Sequence, residues 1–170
     1  MKTKKLALFT GVTVTILAAG ATTLAIQADE SAKSSTAAAS TAEAGPAITI
    51  YKSPSCGCCQ SWVEHLEANG FKTNTIETDN VNEVKQANGV PRDVASCHTA
   101  LIGDLVIEGH VPASDILAYR ENPRFNTVGL SVPGMVQGSP GMETGRKDDY
   151  QVIAFRANGQ QSVFREHKDY

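Results

Sequence analysis

The sequence predicts an α/β domain, a central mixed sheet flanked by helices, with a β-hairpin added at its C-terminal end. Three observations predict it. Short β-branched runs alternate with amphipathic helical stretches between Ala47 and Glu121. Glycines close the first two helical stretches, at Gly70 and Gly89. Two-residue turn signals, Gly103-Asp104 and Asn158-Gly159, each join a pair of apolar runs.

Taken in order, Ala47 to Lys52 alternates and is rich in β-branched residues, so it reads as a strand. The loop Ser53-Pro54-Ser55-Cys56-Gly57-Cys58-Cys59 follows, then a helix through about Asn69. Trp62, Val63 and Leu66 share one of its faces, and Gly70 sits where a left-handed C′ residue belongs. Phe71 to Glu77 is a second strand. Asn80 and Glu83 have the spacing of a capping box, opening a short helix that Gly89 ends before Pro91. Cys97-His98-Thr99 leads into a hairpin of Ala100 to Ile102 and Leu105 to Glu108. Gly109 to Pro112 links it to a helix from about Ala113 to Glu121, with Ile116, Leu117 and the stem of Arg120 facing inward. Residues 122–149 are rich in Gly, Pro and Ser without a period and read as one long loop. Tyr150 to Arg156 and Gln161 to Phe164 form the terminal hairpin, followed by a charged, solvated end from Arg165 to Tyr170.

The chain has 170 residues, and its first part reads as export machinery. Lys2, Lys4 and Lys5 precede an apolar run from Leu6 to Ile26, the pattern of a signal peptide over residues 1–28. Ala19-Gly20-Ala21 offers a cleavage signal, as does a cut after Ala28. The run approaches the ~20 residues that span a bilayer, so an uncleaved N-terminal anchor is the alternative. Either places the domain outside the cytoplasm, in the periplasm, with contact to a membrane only through an uncleaved N-terminus. Residues 29–46 are Ala, Ser, Thr and Glu with no large apolar side chain, a flexible linker. The folded domain is then residues 47–170. A net charge of −3 with no basic stripe argues against nucleic acid as a partner.

Three of the four cysteines fall within Cys56–Cys59. Exported cysteines usually pair as structural disulfides, but clustered ones pair poorly among themselves, and a domain of this size needs no staple. Thiolates are also the soft ligands of Cu(I), zinc and iron–sulfur centres, and the groups of redox chemistry. The element order with a C-x-x-C at a helix start is the thioredoxin arrangement. In such folds an X-Pro-Thr segment opens the third strand and rests against the C-x-x-C. Cys97-His98-Thr99 takes that place here without a proline, which puts Cys97 opposite the Cys56–Cys59 loop.

Five motifs carry a more specific resemblance: Ser53 to Cys59, Cys97-His98-Thr99, Val106 to Ala113, Gly129 to Met135 and Gly138 to Glu143. Together they resemble the CopG-like family of small exported proteins linked to copper resistance, over essentially residues 47–165. The resemblance implies a thioredoxin-like fold and Cu(I) bound by the clustered cysteines as a multinuclear cluster, with an oxidoreductase role suspected.

Cys56, Cys58, Cys59 and Cys97 read first as a metal site and second as a redox pair, Cys56 the nucleophile and Cys59 the resolving thiol. Disulfide exchange has no use for Cys58 or for a fourth cysteine, whereas bridging thiolates of a Cu(I) cluster do. Zinc accepts Cys₃His as well, and spacing does not exclude it. His110, inside a family motif, is a candidate ligand; His98 ranks below it, its side chain expected to point elsewhere. His65 and His167 read as solvated surface residues. Met135 and Met142, the only methionines besides Met1, each end a Pro-Gly-Met triplet. A thioether suits Cu(I) and not zinc, so both join the candidate ligands on a loop closing over the cluster. The expected partners are periplasmic proteins that deliver or export copper.

Overall fold

The structure, a computed structural model, describes residues 45–169. The expected signal peptide or anchor, nearly all of the linker, and Tyr170 lie outside the described residues. The elements run β1 (Ala47–Lys52), α1 (Gly57–Ala68), β2 (Lys72–Glu77), α2 (Val81–Ala87), β3 (Thr99–Ile102), β4 (Leu105–Glu108), α3 (Ala113–Glu121), β5 (Gly129–Ser131), β6 (Tyr150–Phe155) and β7 (Gln161–His167). A single 3-10 turn, Arg92–Val94, precedes β3. No helix among the described residues is long and apolar enough to cross a membrane.

The strands form one mixed sheet in the order β2-β1-β3-β4-β5-β6-β7. β1 pairs parallel with β2 and β4 with β5, and the remaining neighbours are antiparallel. The expected mixed α/β sheet is present, but the C-terminal hairpin is not an appendage. β5, inside the segment expected to be loop, joins it to β4 and makes the sheet continuous. All three residues of β5 are buried, so neither face shows the alternation that marks a half-exposed strand.

Successive residues of a strand face opposite sides, and the core divides accordingly. Ile107 packs in a cluster with Trp62 and Leu66 of α1 and Ile116 and Tyr119 of α3. Val106, its neighbour in β4, packs instead with Val94 and Phe155. The sheet is therefore covered on both faces. Trp62, Phe155 and Ile107 are fully buried, and each such side chain contributes about 2–3 kcal/mol.

Both early helices end in Schellman motifs. After α1, the Gly70 and Phe71 N–H groups donate to Glu67 and Leu66; after α2, Gly89 and Val90 donate to Gln86 and Lys85. The α2 start departs from expectation. Asn80 makes no side-chain cap, and its N–H donates to Thr78 Oγ1, 3.0 Å away, the bond a capping box assigns to Glu83. In α3 the inward residue beside Ile116 is Tyr119, and Arg120 is exposed.

The chain's end also differs. β7 runs on to His167, and its Arg165 and His167 side chains turn back onto α3. Asp115, 1% exposed, pairs with Arg165 Nε at 2.5 Å and His167 Nε2 at 2.6 Å. His167 stacks on Tyr150 as well, so it is not a free surface residue. Nor is His65, whose Nε2 accepts the Ala113 N–H at 3.1 Å where α3 begins.

Candidate metal and thiol site

β1 delivers the chain to Ser53-Pro54-Ser55, and α1 starts one residue after Cys56. Lys52, buried at the strand's end, holds this junction by donating to Glu77 Oε1 at 3.0 Å and to Ser53 O at 3.3 Å. Cys56 is the N-cap residue of α1, with no side-chain cap bond. The first-turn N–H groups so left favour negative charge at that end of the helix.

The four cysteine sulfurs gather as expected, all within 4.8 Å of one another. Cys56 and Cys59 are joined as a disulfide, and Cys58 and Cys97 are free thiols. Cys58 Sγ lies 3.6 Å from Cys56 Sγ, and Cys97 Sγ lies 3.3 Å from Cys59 Sγ. Cys97 thus faces the loop across the start of β3, where its segment was expected to lie.

Two imidazoles close on Cys97. His110 Nε2 is 3.1 Å from its sulfur and His98 Nδ1 is 3.2 Å from it. His110 Nδ1 is 2.7 Å from the carbonyl oxygen of Pro140, which only accepts, so Nδ1 carries the proton. Nε2 then turns a lone pair to the sulfur, the arrangement of an imidazole held ready to bind a metal. Burial pushes His110 below the usual imidazole range, against the opposing effect of the Pro140 bond, and pushes His98 well below it, helped by His110 and Lys85. Both rings are neutral at pH 7. Burial, then the Cys58 charge, pushes the Cys97 thiol up to about 12, so it is protonated in this state.

His98 was expected to point away from the site, and it does not. It is fully buried, its ring centroid 4.4 Å from that of Trp62, and its Nε2 has no hydrogen-bond partner among the described residues. Cys97, His98 and His110 form a second close group of donor atoms that shares Cys97 with the four thiols. Trp62 helps fix this wall of the site by donating Nε1–H to Val111 O at 2.9 Å.

The two Pro-Gly-Met triplets dock on different sides of the site. Gly134 is bridged to Ser96, one residue before Cys97, and its N–H donates to Ala95 O at 3.1 Å. Gly141 lies against the first turns of α1. With φ at +80°, a Cβ there would come 2.7 Å from both Cys58 O and Trp62 N, so only glycine lets the loop approach. Met142 is buried beside it; Met135, after Gly134, is 47% exposed. Gly109 is a second close approach: its φ is +70°, and a Cβ would meet the Ser96 hydroxyl and stand 2.8 Å from Val132 O.

Under the Cys97 segment lies a buried ion pair that the sequence did not disclose. Glu108 is fully buried, and Lys85 Nζ sits 2.6 Å from its Oε1. Burial raises the Glu108 pKa, against the Lys85, Ser96 N–H and Thr99 hydroxyl donors that converge on its oxygens and favour the carboxylate.

Comparison with known proteins fits this geometry. Residues 94–142, which span Cys97, His98, His110 and both triplets, match the family described as "Protein of unknown function, DUF411". Comparison with curated proteins gives no match. Among solved structures, the chain is similar to "Copper resistance protein copG- Form 2", at 47% identity and a TM-score of 0.69, over 73% of this chain and 99% of that one. It is likewise similar to "Copper resistance protein copG- Form 1", at 48% identity and a TM-score of 0.68, over 72% of this chain and 98% of that one. With so much of the described domain shared at that identity, the chain belongs to the CopG-like, DUF411 family.

Proposed function

We propose that the protein takes Cu(I) as its cargo through Cys56, Cys58, Cys59 and Cys97, and serves copper tolerance outside the cytoplasm. One observation carries this reading: four sulfurs within 4.8 Å of one another, the fourth in contact with two neutral imidazoles. Thiolate sulfur is the soft ligand that selects Cu(I), and sulfurs this close can bridge more than one ion. His110, through Nε2, completes the ligand set. The 133–142 loop, seated on α1 at Gly141, would bring Met142 and Met135 to offer thioether sulfur. The names of the two similar structures support copper as the cargo. Zinc fits the thiolates and His110 but has no use for the methionines.

Cys56 and Cys59 must be reduced before all four thiols can bind, so oxidation of that pair would release copper and make the site redox-gated. The fold on this reading is of the thioredoxin type; the β2-β1-β3-β4 order and the C-x-x-C at the start of α1 support that. Residues 1–28 export or anchor the chain, and residues 29–46 tether the domain within reach of the proteins that bring or remove copper.

The Cys56–Cys59 disulfide at the N-terminus of α1 favours a second reading, a thiol–disulfide or copper oxidoreductase with Cys56 as nucleophile. Cys58→Ala separates the two. Cargo binding predicts that this variant loses Cu(I) stoichiometry in competition with a Cu(I) chelator. If it keeps its copper and its disulfide reductase activity, the site is an exchange site and the cargo reading fails.

A further inference from the structure

Neither copper binding nor disulfide exchange uses the Lys85–Glu108 pair. Its bonds have a pattern. Glu108 Oε1 accepts from the Ser96 N–H at 2.6 Å, Oε2 accepts from the Thr99 hydroxyl at 2.8 Å, and Lys85 Nζ also donates to Thr99 Oγ1 at 3.0 Å. Ser96 and Thr99 bracket Cys97 and His98, so one carboxylate holds the segment on both sides of the fourth thiol. Glu108 stands directly opposite Thr99 in the β3–β4 register and two residues before His110. The Gly109 N–H donates to His98 O at 3.0 Å, tying the same two segments together.

Stability does not account for the pair. Removing two charges from water costs several kcal/mol per ion, and apolar side chains of the same volume often serve stability as well or better. What a carboxylate offers that an apolar side chain does not is a set of directional bonds. Cys97 needs them, because no proline stiffens the segment that opens β3, and its sulfur must meet Cys59, His98 and His110 at once.

We propose that Lys85 and Glu108 are positioning residues for the thiol site: Glu108 fixes the backbone at Ser96 and Thr99, and Lys85 of α2 holds Glu108 in place. This rests on reading Cys97 as a ligand, and extends the site to a helix that contributes no ligand of its own.

The test uses the full chain, reduced and free of metal, with alkylation of each cysteine by iodoacetamide followed by peptide mass spectrometry. The double variant Lys85→Met/Glu108→Leu leaves no buried charge unpaired, so it should fold, with a melting temperature lowered only by the Ser96 N–H and Thr99 hydroxyl losing their partners. Its Cys97 should alkylate at least about tenfold faster, the gain in local opening from losing the charged hydrogen bonds at Ser96 and Thr99, while Cys56 and Cys58 keep their rates. Lys85→Arg, which keeps the cation and leaves Glu108 in place, should keep the slow Cys97 rate. Cu(I) bound per chain should fall in the double variant and stay at the parental level in Lys85→Arg. A folded double variant with the parental Cys97 rate overturns the proposal. If the double variant does not fold, Thr99→Val decides, since it removes one bond to Glu108 without stranding a charge. A faster Cys97 is then expected, and an unchanged rate overturns the idea. Should no form bind Cu(I), the proposed function falls, but the alkylation rates still decide the positioning role.

Discussion

Gly70 and Gly141 adopt the same left-handed backbone, at φ of +85° and +80°, for different reasons. Gly70 closes α1 in open space, so Gly70→Ala should cost about 1 kcal/mol for the backbone alone. Gly141 lies against Cys58 O and Trp62 N, so Gly141→Ala should cost about 2–4 kcal/mol, because helix backbone must move. Thermal denaturation of the two variants checks the ranking, and equal losses would mean the 138–142 loop is not seated on α1. At this scale the thiols were legible, because clustered Cys has few other uses. His98 was not. Strand alternation would turn it away from Cys97, but the chain bends at Cys97 before β3 begins, so alternation does not apply. Lys85 and Glu108 were equally hidden. Each sits in an otherwise ordinary helix or strand pattern; the β3–β4 register brings Glu108 to Thr99, and Lys85 reaches both from α2.

Helix α3 begins on a titratable acceptor. Burial, the largest influence, lowers the His65 pKa below 6.5, against the opposing charge of Glu143. Its neutral Nε2 accepts the Ala113 N–H, so the folded state prefers the unprotonated ring. The unfolded chain takes up the proton first as pH falls. The contribution is therefore present above pH 6.5 and lost as pH falls through the lower, folded value. The parent should lose stability more steeply just below that pH than His65→Gln, whose amide oxygen still accepts the bond. Urea denaturation at a series of pH values measures it, and parallel curves would remove His65 from the account. Elements with local signals were legible: the Gly-terminated helices and the Asn158-Gly159 hairpin. β5 was not, because three buried residues cannot show a period and parallel pairing to β4 leaves no turn signal. The α2 start misled for a local reason, the Thr78 hydroxyl taking the bond expected from Glu83.

Across the whole molecule, the sheet runs unbroken from β2 to β7, and Asp115 clasps its last strand to α3. Because Arg165 is half exposed, its share of the clasp is screened. Asp115→Asn should still cost about 1–3 kcal/mol, most of it from the His167 and Arg165 donors left behind. Hydrogen exchange in β7 should quicken more than in β1; a uniform change would argue against a local clasp. The mixed α/β architecture followed from element order, while the joining of the C-terminal hairpin to the sheet depended on contacts between segments far apart in sequence. The site has the same character, drawing on α1, the start of β3, the end of β4 and the 133–142 loop. Its purpose is tested most directly by the number of Cu(I) ions bound per chain, with a free-thiol count, on fully reduced protein purified without oxygen. More than one Cu(I) per chain is expected, with four thiols protected on loading. A single weakly held ion, or zinc that resists displacement by Cu(I), would contradict it.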